Sequence, residues 1–287
     1  FTGLAAARAL ARSGASVVVL ERETIGAGAS GRNGGMVLPG YKAELSDLLR
    51  RHGPVVARRL FEDSLEAITF VESLIREETI ACDWLKSGHV TLAARPEHMK
   101  GLDEARQLLA REFGYQTELL GPAEIGKEIG SARYHGGLLD TGAASVQPAA
   151  YVSGLAAAAQ RAGALLCERV EVREMEVTGG GVRLETSRGP LAAGEVLLAT
   201  NGYTGRLESW LARRVVPVGR YIIATEPLPA HVQRRLIPRG RMLSDTKNLL
   251  YYFRLSPDGR MVFGGRAAFV PTAVERSREI LRSGMVE

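Results

Sequence analysis

Residues 1–37, FTGLAAARALARSGASVVVLERETIGAGASGRNGGMV, contain a small-residue stretch, a β-branched run and a glycine-rich segment. The first thirteen residues are mostly Ala and Leu and predict a helix that ends at Gly14, which suits a left-handed conformation. Residues 15–20 predict a strand that closes at Glu21. A small helix, a tight glycine turn and a strand that ends in a carboxylate are typical of the second half of a dinucleotide-binding unit.

Two residues of this stretch are candidates for contacts with a dinucleotide. Gly3 takes the place of the last glycine of G-x-G-x-x-G, where a small residue lets helix and strand pack closely. Glu21 follows the strand at the distance expected for an acid that accepts hydrogen bonds from a ribose hydroxyl. An ordinary αβ unit is the alternative, and Glu21 favours the dinucleotide. The two other glycines and the first strand would precede Phe1, so we expect the chain to start inside its own motif.

Residues 25–35, IGAGASGRNGG, contain five glycines in eleven positions. Ser30, Arg32 and Asn33 lie among these glycines. Glycines let backbone N–H groups approach a ligand closely, and arginine suits a pair of diphosphate oxygens. A flexible surface loop is the alternative, although such loops seldom place Arg and Asn between glycines.

The glycine-rich stretch resembles the flavin-contacting segment of FAD-dependent oxidoreductases of the D-amino acid oxidase-like superfamily. The spelling ASGRNGG over residues 29–35 is most similar to the branch that includes gamma-glutamylputrescine oxidoreductase. The resemblance implies FAD as the cofactor, because nicotinamide enzymes usually have no such segment. The residues that it implies for cofactor binding are Gly3, Glu21, Arg22, Ser30, Arg32, Asn33, Gly34, Gly35, Val170, Ala199 and Thr200.

The sequence after residue 37 predicts an alternation of helices and short strands up to residue 163 and mainly strands beyond it. Up to residue 163 the predicted elements are, in order, helix 54–80, strand 89–93, helix 96–113, strand 118–120, helix 122–129, strand 136–139 and helix 148–162. Beyond it they are strand 165–170, hairpin 172–177 with 182–186, strand 195–199, strand 215–225 interrupted by Pro217, and strands 249–254 and 261–265 around a Pro-Asp-Gly turn. In the superfamily a βββ excursion like that of residues 170–200 packs beside the FAD domain. An ordinary β-meander is the alternative for this segment.

Strand 249–254 carries the candidate substrate residues Tyr251, Tyr252 and Arg254. Alternation along a strand places Tyr252 and Arg254 on one face and Tyr251 on the other. Aromatic walls and one arginine would suit a carboxylate-bearing amine. An ordinary strand with an arginine that extends its head to solvent is the alternative.

Together these patterns predict an α/β fold: a Rossmann-like FAD-binding domain with an inserted α+β substrate domain built on an antiparallel sheet. The predicted FAD-binding domain comprises residues 1–85 and 146–210, and the substrate domain 86–145 and 211–287. By resemblance, the protein oxidises an amine or amino acid by passing a hydride to flavin N5, which gives an imine that water hydrolyses. Oxygen and another electron acceptor both stay open. No side chain stands out as a general base, and this chemistry need not have one, so no catalytic residue is assigned.

Composition limits the other function classes. With 45% hydrophobic and 24% charged residues the chain reads as a soluble globular protein, expected in the cytoplasm, without a membrane-length apolar run. The net charge of +5 comes from scattered arginines that lie among acids, which indicates solvated faces more than a nucleic-acid surface. Cys82, Cys167 and the five histidines have no metal-ligand spacing, so no metal is expected.

Two other functions stay open at this point: a non-catalytic or inactive FAD fold, and a flavin oxidase that modifies tRNA. We see nothing before Glu287 like the C-terminal segment with which the superfamily completes its FAD domain. The sequence therefore resembles a piece cut at both ends. Strands 17–20 and 196–199 would then lack a neighbour, and we expect these 287 residues alone to aggregate or to bind no stoichiometric FAD.

Overall fold

The computed structural model describes residues 1–216, 218–268 and 273–286. Within them the helices are α1 Thr2–Arg12, α2 Leu45–Glu77, α3 His98–Phe113, α4 Pro122–Ile125, α5 Pro148–Arg161, α6 Ser209–Ala212, α7 Ala230–Leu236 and α8 Val274–Val286. The strands are β1 Val18–Glu21, β2 Met36–Val37, β3 His89–Leu92, β4 Glu118–Leu120, β5 Gly137–Asp140, β6 Ala144–Ser145, β7 Leu165–Glu168, β8 Val172–Thr178, β9 Gly181–Thr186, β10 Gly189–Ala193, β11 Gly219–Ala224, β12 Met242–Asp245, β13 Tyr252–Leu255 and β14 Met261–Ala268.

The chain divides into two compact units. The first unit comprises Phe1–Arg32, Ile80–Cys82 and Pro148–Val218, and the second comprises Asn33–Thr79, Asp83–Gln147 and Gly219–Glu287. Residues 33–79, assigned above to the predicted FAD-binding domain, cluster with the second unit because α2 packs against α3. The predicted assignment of a function to each domain stays a prediction.

The first unit combines a parallel strand pair, helices and an antiparallel sheet. Strand β1 pairs with β7 in parallel, with Glu21 opposite Glu168. Helix α1 lies against α5, and a cluster of buried alanines (Ala7, Ala159 and Ala164) fills the space between these elements. Gly14 adopts a φ of 90° after α1, which confirms the predicted left-handed helix end. Strands β8, β9 and β10 form a separate antiparallel sheet.

The predicted strand over residues 195–199 does not form. These residues lie outside any strand, and Leu197 is 60% exposed. A β-strand needs a neighbour for its N–H and C=O groups, and within the described residues no strand pairs with this segment. The apolar run was therefore correct evidence for strand propensity but insufficient evidence for a strand.

The second unit is built on a seven-stranded sheet of the described residues, in the order β11-β14-β13-β12-β3-β5-β4. All of its pairs are antiparallel except β12 with β3. Its core contains large apolar side chains from the sheet and from flanking helices, among them Leu92, Leu243, Phe253 and Leu281. The predicted turn at residues 257–259 joins β13 to β14, whereas Pro217 lies outside the described residues.

Helix α2 is longer than predicted but contains the predicted start. It begins at Leu45 and is broken at Gly53, whose φ of 75° and ψ of 167° are not helical. The second segment therefore starts at Pro54, as the sequence indicates, since proline fits a first helical turn. It ends at Glu77 rather than at residue 80 because Thr79 has a left-handed φ of 53°.

Candidate functional site

The start of α1 lies close to the turn at residues 199–200 in the first unit. A Cβ added to Gly3 would lie 3.3 Å from the Cβ of Ala199, so any side chain at position 3 would crowd that turn. Phe1 provides no side-chain cap for α1. The first N–H groups of a helix have no intrahelical acceptor and carry partial positive charge, which suits an anion.

The candidate carboxylate lies at the carboxyl edge of the parallel pair β1–β7. Oε1 of Glu21 accepts a hydrogen bond from the backbone N–H of Glu23 at 2.9 Å. The backbone carbonyl of Glu21 accepts from the N–H of Val170, also at 2.9 Å, and Val170 is buried. Glu21 and Val170 are thus neighbours at the edge where open α/β sheets bind their ligands.

The glycine-rich loop of the first unit folds back on itself. A Cβ at Gly31 would lie 2.2 Å from the carbonyl oxygen of Gly26, and a Cβ at Gly26 would lie 2.7 Å from Cγ1 of Val152. The guanidinium of Arg32 donates to the carbonyl of Ala27, and its backbone N–H donates to that of Ala29. Close packing against α5 at position 26, and within the loop at position 31, is therefore a sufficient reason for glycine at both positions.

Three further predicted residues of the first unit are accessible to a ligand to different degrees. Arg22 is exposed beside Glu23, with 3.6 Å between Nε and Oε1, and Ser30 is half-buried in the loop. Thr200 is exposed, and its Oγ1 shares a hydrogen bond of 2.7 Å with Oγ1 of Thr204. This hydroxyl bond shapes the turn that follows Ala199.

In the second unit, residues 33–35 form a tight turn. Oδ1 of Asn33 accepts a hydrogen bond of 2.8 Å from the N–H of Gly35, which has a φ of 64°. The carbonyl of Gly35 accepts from the N–H of Val146 at 2.8 Å. A Cβ at Gly34 would lie 2.9 Å from Cε2 of Tyr252, so the aromatic ring covers this peptide directly.

The two tyrosines of the predicted substrate strand face opposite sides of the sheet, as alternation predicts. Tyr252 covers Gly264, where a Cβ would lie 2.2 Å from its Cζ, while Tyr251 covers Gly265. Tyr251 packs against Phe263 in the core, with ring centroids 4.9 Å apart. Burial raises the pKa of Tyr252, and the positive charge of Arg220 partly offsets that effect.

Arg254 is buried, with 6% of its surface exposed, rather than extended to solvent. Its Nε donates to the carbonyl of Gly34 at 2.6 Å, and one terminal nitrogen donates to the carbonyl of Val146 at 2.7 Å. The other terminal nitrogen lies 3.4 Å from the carbonyl of Leu255. These bonds engage the guanidinium with main-chain carbonyls, and a contact with substrate stays a prediction.

Sequence reasoning missed two residues beside the predicted positions. The ring of Tyr203 lies 3.2 Å from the position of a Cβ on Gly28, and Arg220 is the charged neighbour of Tyr252. The signal for Arg220 was available, because an Arg-Tyr pair lies in the middle of the predicted strand over 215–225. Tyr203 had none, since only folding brings it to the loop.

The described residues contain neither a membrane-length apolar helix nor a cluster of metal-ligating side chains. Of the helices in residues 1–216, 218–268 and 273–286, none is long and apolar enough to cross a membrane. Across the same ranges, His, Cys, Asp and Glu side chains form no group of three that could hold a metal ion.

Similarity to known proteins covers nearly the whole chain. The sequence model of the protein family described as "FAD dependent oxidoreductase" matches residues 1–286. The chain is 36% identical over 269 residues to the probable oxidoreductase OrdL of Haemophilus influenzae, covering 92% of this chain and 62% of that protein. It is 34% identical over 280 residues to the gamma-glutamylputrescine oxidoreductase of Escherichia coli K12, covering 96% of this chain and 65% of that protein. The chain thus spans a little under two thirds of the length of these relatives.

The fold is that of a known group of solved structures. A glycine oxidase from Geobacillus kaustophilus superposes with a TM-score of 0.75 at 21% sequence identity, covering 92% of this chain and 68% of that one. This similarity shows that the mixed α/β fold is the one found in that oxidase.

Proposed function

Because this chain belongs to the family of FAD-dependent oxidoreductases, we propose that the protein uses FAD to oxidise an amine or amino acid. The observation that carries the proposal is the family match over residues 1–286. The substrate class is supported by the names of similar proteins, a gamma-glutamylputrescine oxidoreductase and a glycine oxidase.

The Rossmann-like FAD-binding domain would comprise residues 1–85 and 146–210, and several of its residues would suit the adenosine and diphosphate parts of FAD. Glu21 presents a carboxylate at the carboxyl edge of a parallel strand pair, which suits a ribose hydroxyl. Gly3 places no side chain between the first turn of α1 and Ala199, which would suit a pyrophosphate at a helix N-terminus. Val170, Ala199 and Thr200 would complete this contact set, together with Arg22, Ser30 and Arg32 of the loop region.

The substrate domain would comprise residues 86–145 and 211–287, and residues 33–35 would contact the cofactor. FAD, when bound, supplies the acceptor for the hydride that leaves the carbon bearing the amine. The protein would orient the substrate and limit access of water. Tyr252 is the best placed of the predicted substrate residues, because its ring covers Gly34 as well as Gly264, whereas Tyr251 packs into the core.

The test uses the purified full-length protein and its FAD complex. We expect FAD titration to give near one flavin per chain with the visible spectrum of a bound flavin. A panel of amines and amino acids mixed with this complex without oxygen should include one compound that bleaches the flavin. Air is then admitted, and peroxide release tells whether oxygen accepts the electrons. A protein that binds no FAD, or a flavin that no member of the panel reduces, would contradict the proposal.

A further inference from the structure

The peptide between Gly34 and Gly35 is fixed at both of its polar ends. Its carbonyl, on Gly34, accepts from Nε of Arg254 at 2.6 Å, and its N–H, on Gly35, donates to Oδ1 of Asn33 at 2.8 Å. Because a peptide group is planar, holding both ends sets the orientation of the whole group. Glycine by itself would leave this orientation free.

Arg254 also closes a ring of hydrogen bonds around the turn. Its guanidinium bridges the carbonyls of Gly34 and Val146, while the N–H of Val146 donates to the carbonyl of Gly35 at 2.8 Å. The residues of this ring are 108 to 220 positions from Arg254 in the sequence. A planar guanidinium presents its donors in a fixed fork, so it holds the two carbonyls in one relative position.

Tyr252 limits the turn from the same strand face. Its Cε2 lies where a side chain on Gly34 would begin, at 2.9 Å from an added Cβ. One strand, β13, therefore supplies both a polar anchor and an aromatic cover for residues 33–35. The turn contains two consecutive glycines, yet its conformation is set from a distant part of the chain.

We propose that Arg254 is a positioning residue for the cofactor: its guanidinium sets the 34–35 peptide in the orientation that receives FAD. This inference rests on the proposed function, since residues 33–35 are the segment through which the family resemblance implies a flavin contact. In this inference the partners of the guanidinium are two backbone carbonyls, those of Gly34 and Val146, and not a substrate carboxylate. Arg254 would then act on FAD affinity through the turn and not through a contact with substrate.

Substitutions of Arg254 and a matched arginine test the proposal. Arg254→Met leaves both carbonyls without their donor, and Arg254→Lys retains the charge without the fork. The control is Arg260→Met in the same unit, because Arg260 also donates to a backbone carbonyl, that of Thr225 at 3.0 Å, away from the turn. We would measure the FAD dissociation constant, the thermal stability of the FAD-free protein and amide hydrogen exchange of residues 33–37.

We expect the FAD dissociation constant to rise at least about tenfold in Arg254→Met, because charged donors make the stronger hydrogen bonds. Arg254→Lys should lie between this variant and the unchanged protein, and its turn should exchange faster without FAD present. Arg260→Met should lose stability while keeping FAD affinity and exchange at residues 33–37.

Two different failures can be separated. If the unchanged protein binds FAD, but both Arg254 variants bind it equally well and exchange at the same rate, this inference is wrong and the proposed function stands. If the unchanged full-length protein binds no FAD, the proposed function and this inference are both wrong. Should Arg254→Met fail to fold, Arg254→Lys decides between the outcomes.

Discussion

The two units use different kinds of packing. In the first unit, a packed cluster consists of three alanines between α1, α5 and the parallel strands, and Gly3, Gly26 and Gly31 allow backbones to approach closely. Among the described residues of the second unit, twelve buried apolar side chains, mostly Leu, Ile and Phe, form one core around a seven-stranded sheet. Small residues bring main chains together, whereas large ones bury apolar area.

From this difference we infer that the second unit contributes more to stability and the first unit more to FAD binding. Apolar burial stabilises at about 25 cal/mol per Å², so the large side chains of the second unit contribute more to stability. Close backbone approach leaves N–H groups and short side chains available to a ligand, which fits the proposed FAD contacts of the first unit. Substitutions in the second core should then affect stability first, and substitutions at the edge of the first unit should affect FAD affinity first.

The largest effect should come from Leu243→Ala. Leu243 is fully buried in the second core, so the substitution should lower the free energy of unfolding by about 2–5 kcal/mol. Leu249→Ala is the control, because Leu249 is 61% exposed, and its change should stay within about 0.5 kcal/mol. Urea unfolding measures both. If the two substitutions lower the free energy of unfolding equally, the core of the second unit is not the main source of stability that we infer.

The second largest effect should be a loss of stability of the second unit in acid, caused by His89. Burial lowers the pKa of His89 to about 4, while its pKa in the unfolded chain is about 6.5. Between these values the unfolded chain binds a proton that the folded protein does not, so stability falls as the pH is lowered. The loss should approach about 3 kcal/mol by pH 4.

The control for this acid effect is the variant His89→Gln. Glutamine can still hydrogen-bond to Oγ of Ser244, which lies 2.9 Å from Nε2 of His89. Both proteins carry the same carboxylates, so the difference between their pH profiles isolates the histidine. Parallel profiles between pH 6.5 and 4 would show that His89 is not responsible.

Glu21→Arg probes the binding edge of the first unit. If Glu21 accepts ribose hydroxyls, the variant should bind FAD at least about tenfold more weakly, because a charged-group hydrogen bond is lost. Glu174→Arg is a matched charge reversal at an exposed position on β8 and should leave affinity unchanged. Isothermal titration with FAD measures both, and unchanged affinity in Glu21→Arg would reject the ribose contact.

Arg32→Lys should have the smallest effect. The Arg32 guanidinium already donates to Ala27, and lysine lacks the planar fork that could also hold a diphosphate. We expect unchanged circular dichroism and FAD binding weaker on the order of threefold to tenfold. Arg173→Lys, exposed beside Glu171, is the control. If Arg32→Lys keeps its full flavin content after gel filtration, residues 25–35 are better explained as an ordinary surface loop.

Most elements followed from the sequence alone because their signals are local. The left-handed glycines at 14 and 114 end α1 and α3, and Pro54 begins the second segment of α2. The alternation of Tyr251 and Tyr252 across the sheet needed only the strand period. The strand predicted over residues 195–199 was wrong for the opposite reason. A strand depends on a neighbouring strand, which local propensity does not describe.

The sequence by itself determined the family, the glycine-rich segment and the polar residues around it, because residue type and short spacing carry those features. Only the tertiary structure decided the partners of Arg254, which lie up to 220 residues away and include the carbonyl of Gly34. It also decided why Gly31 is small, since the atom that excludes a side chain there is the carbonyl oxygen of Gly26. The physical reason is that backbone preference belongs to each residue, whereas a buried charge or a close approach depends on which atoms folding brings beside it.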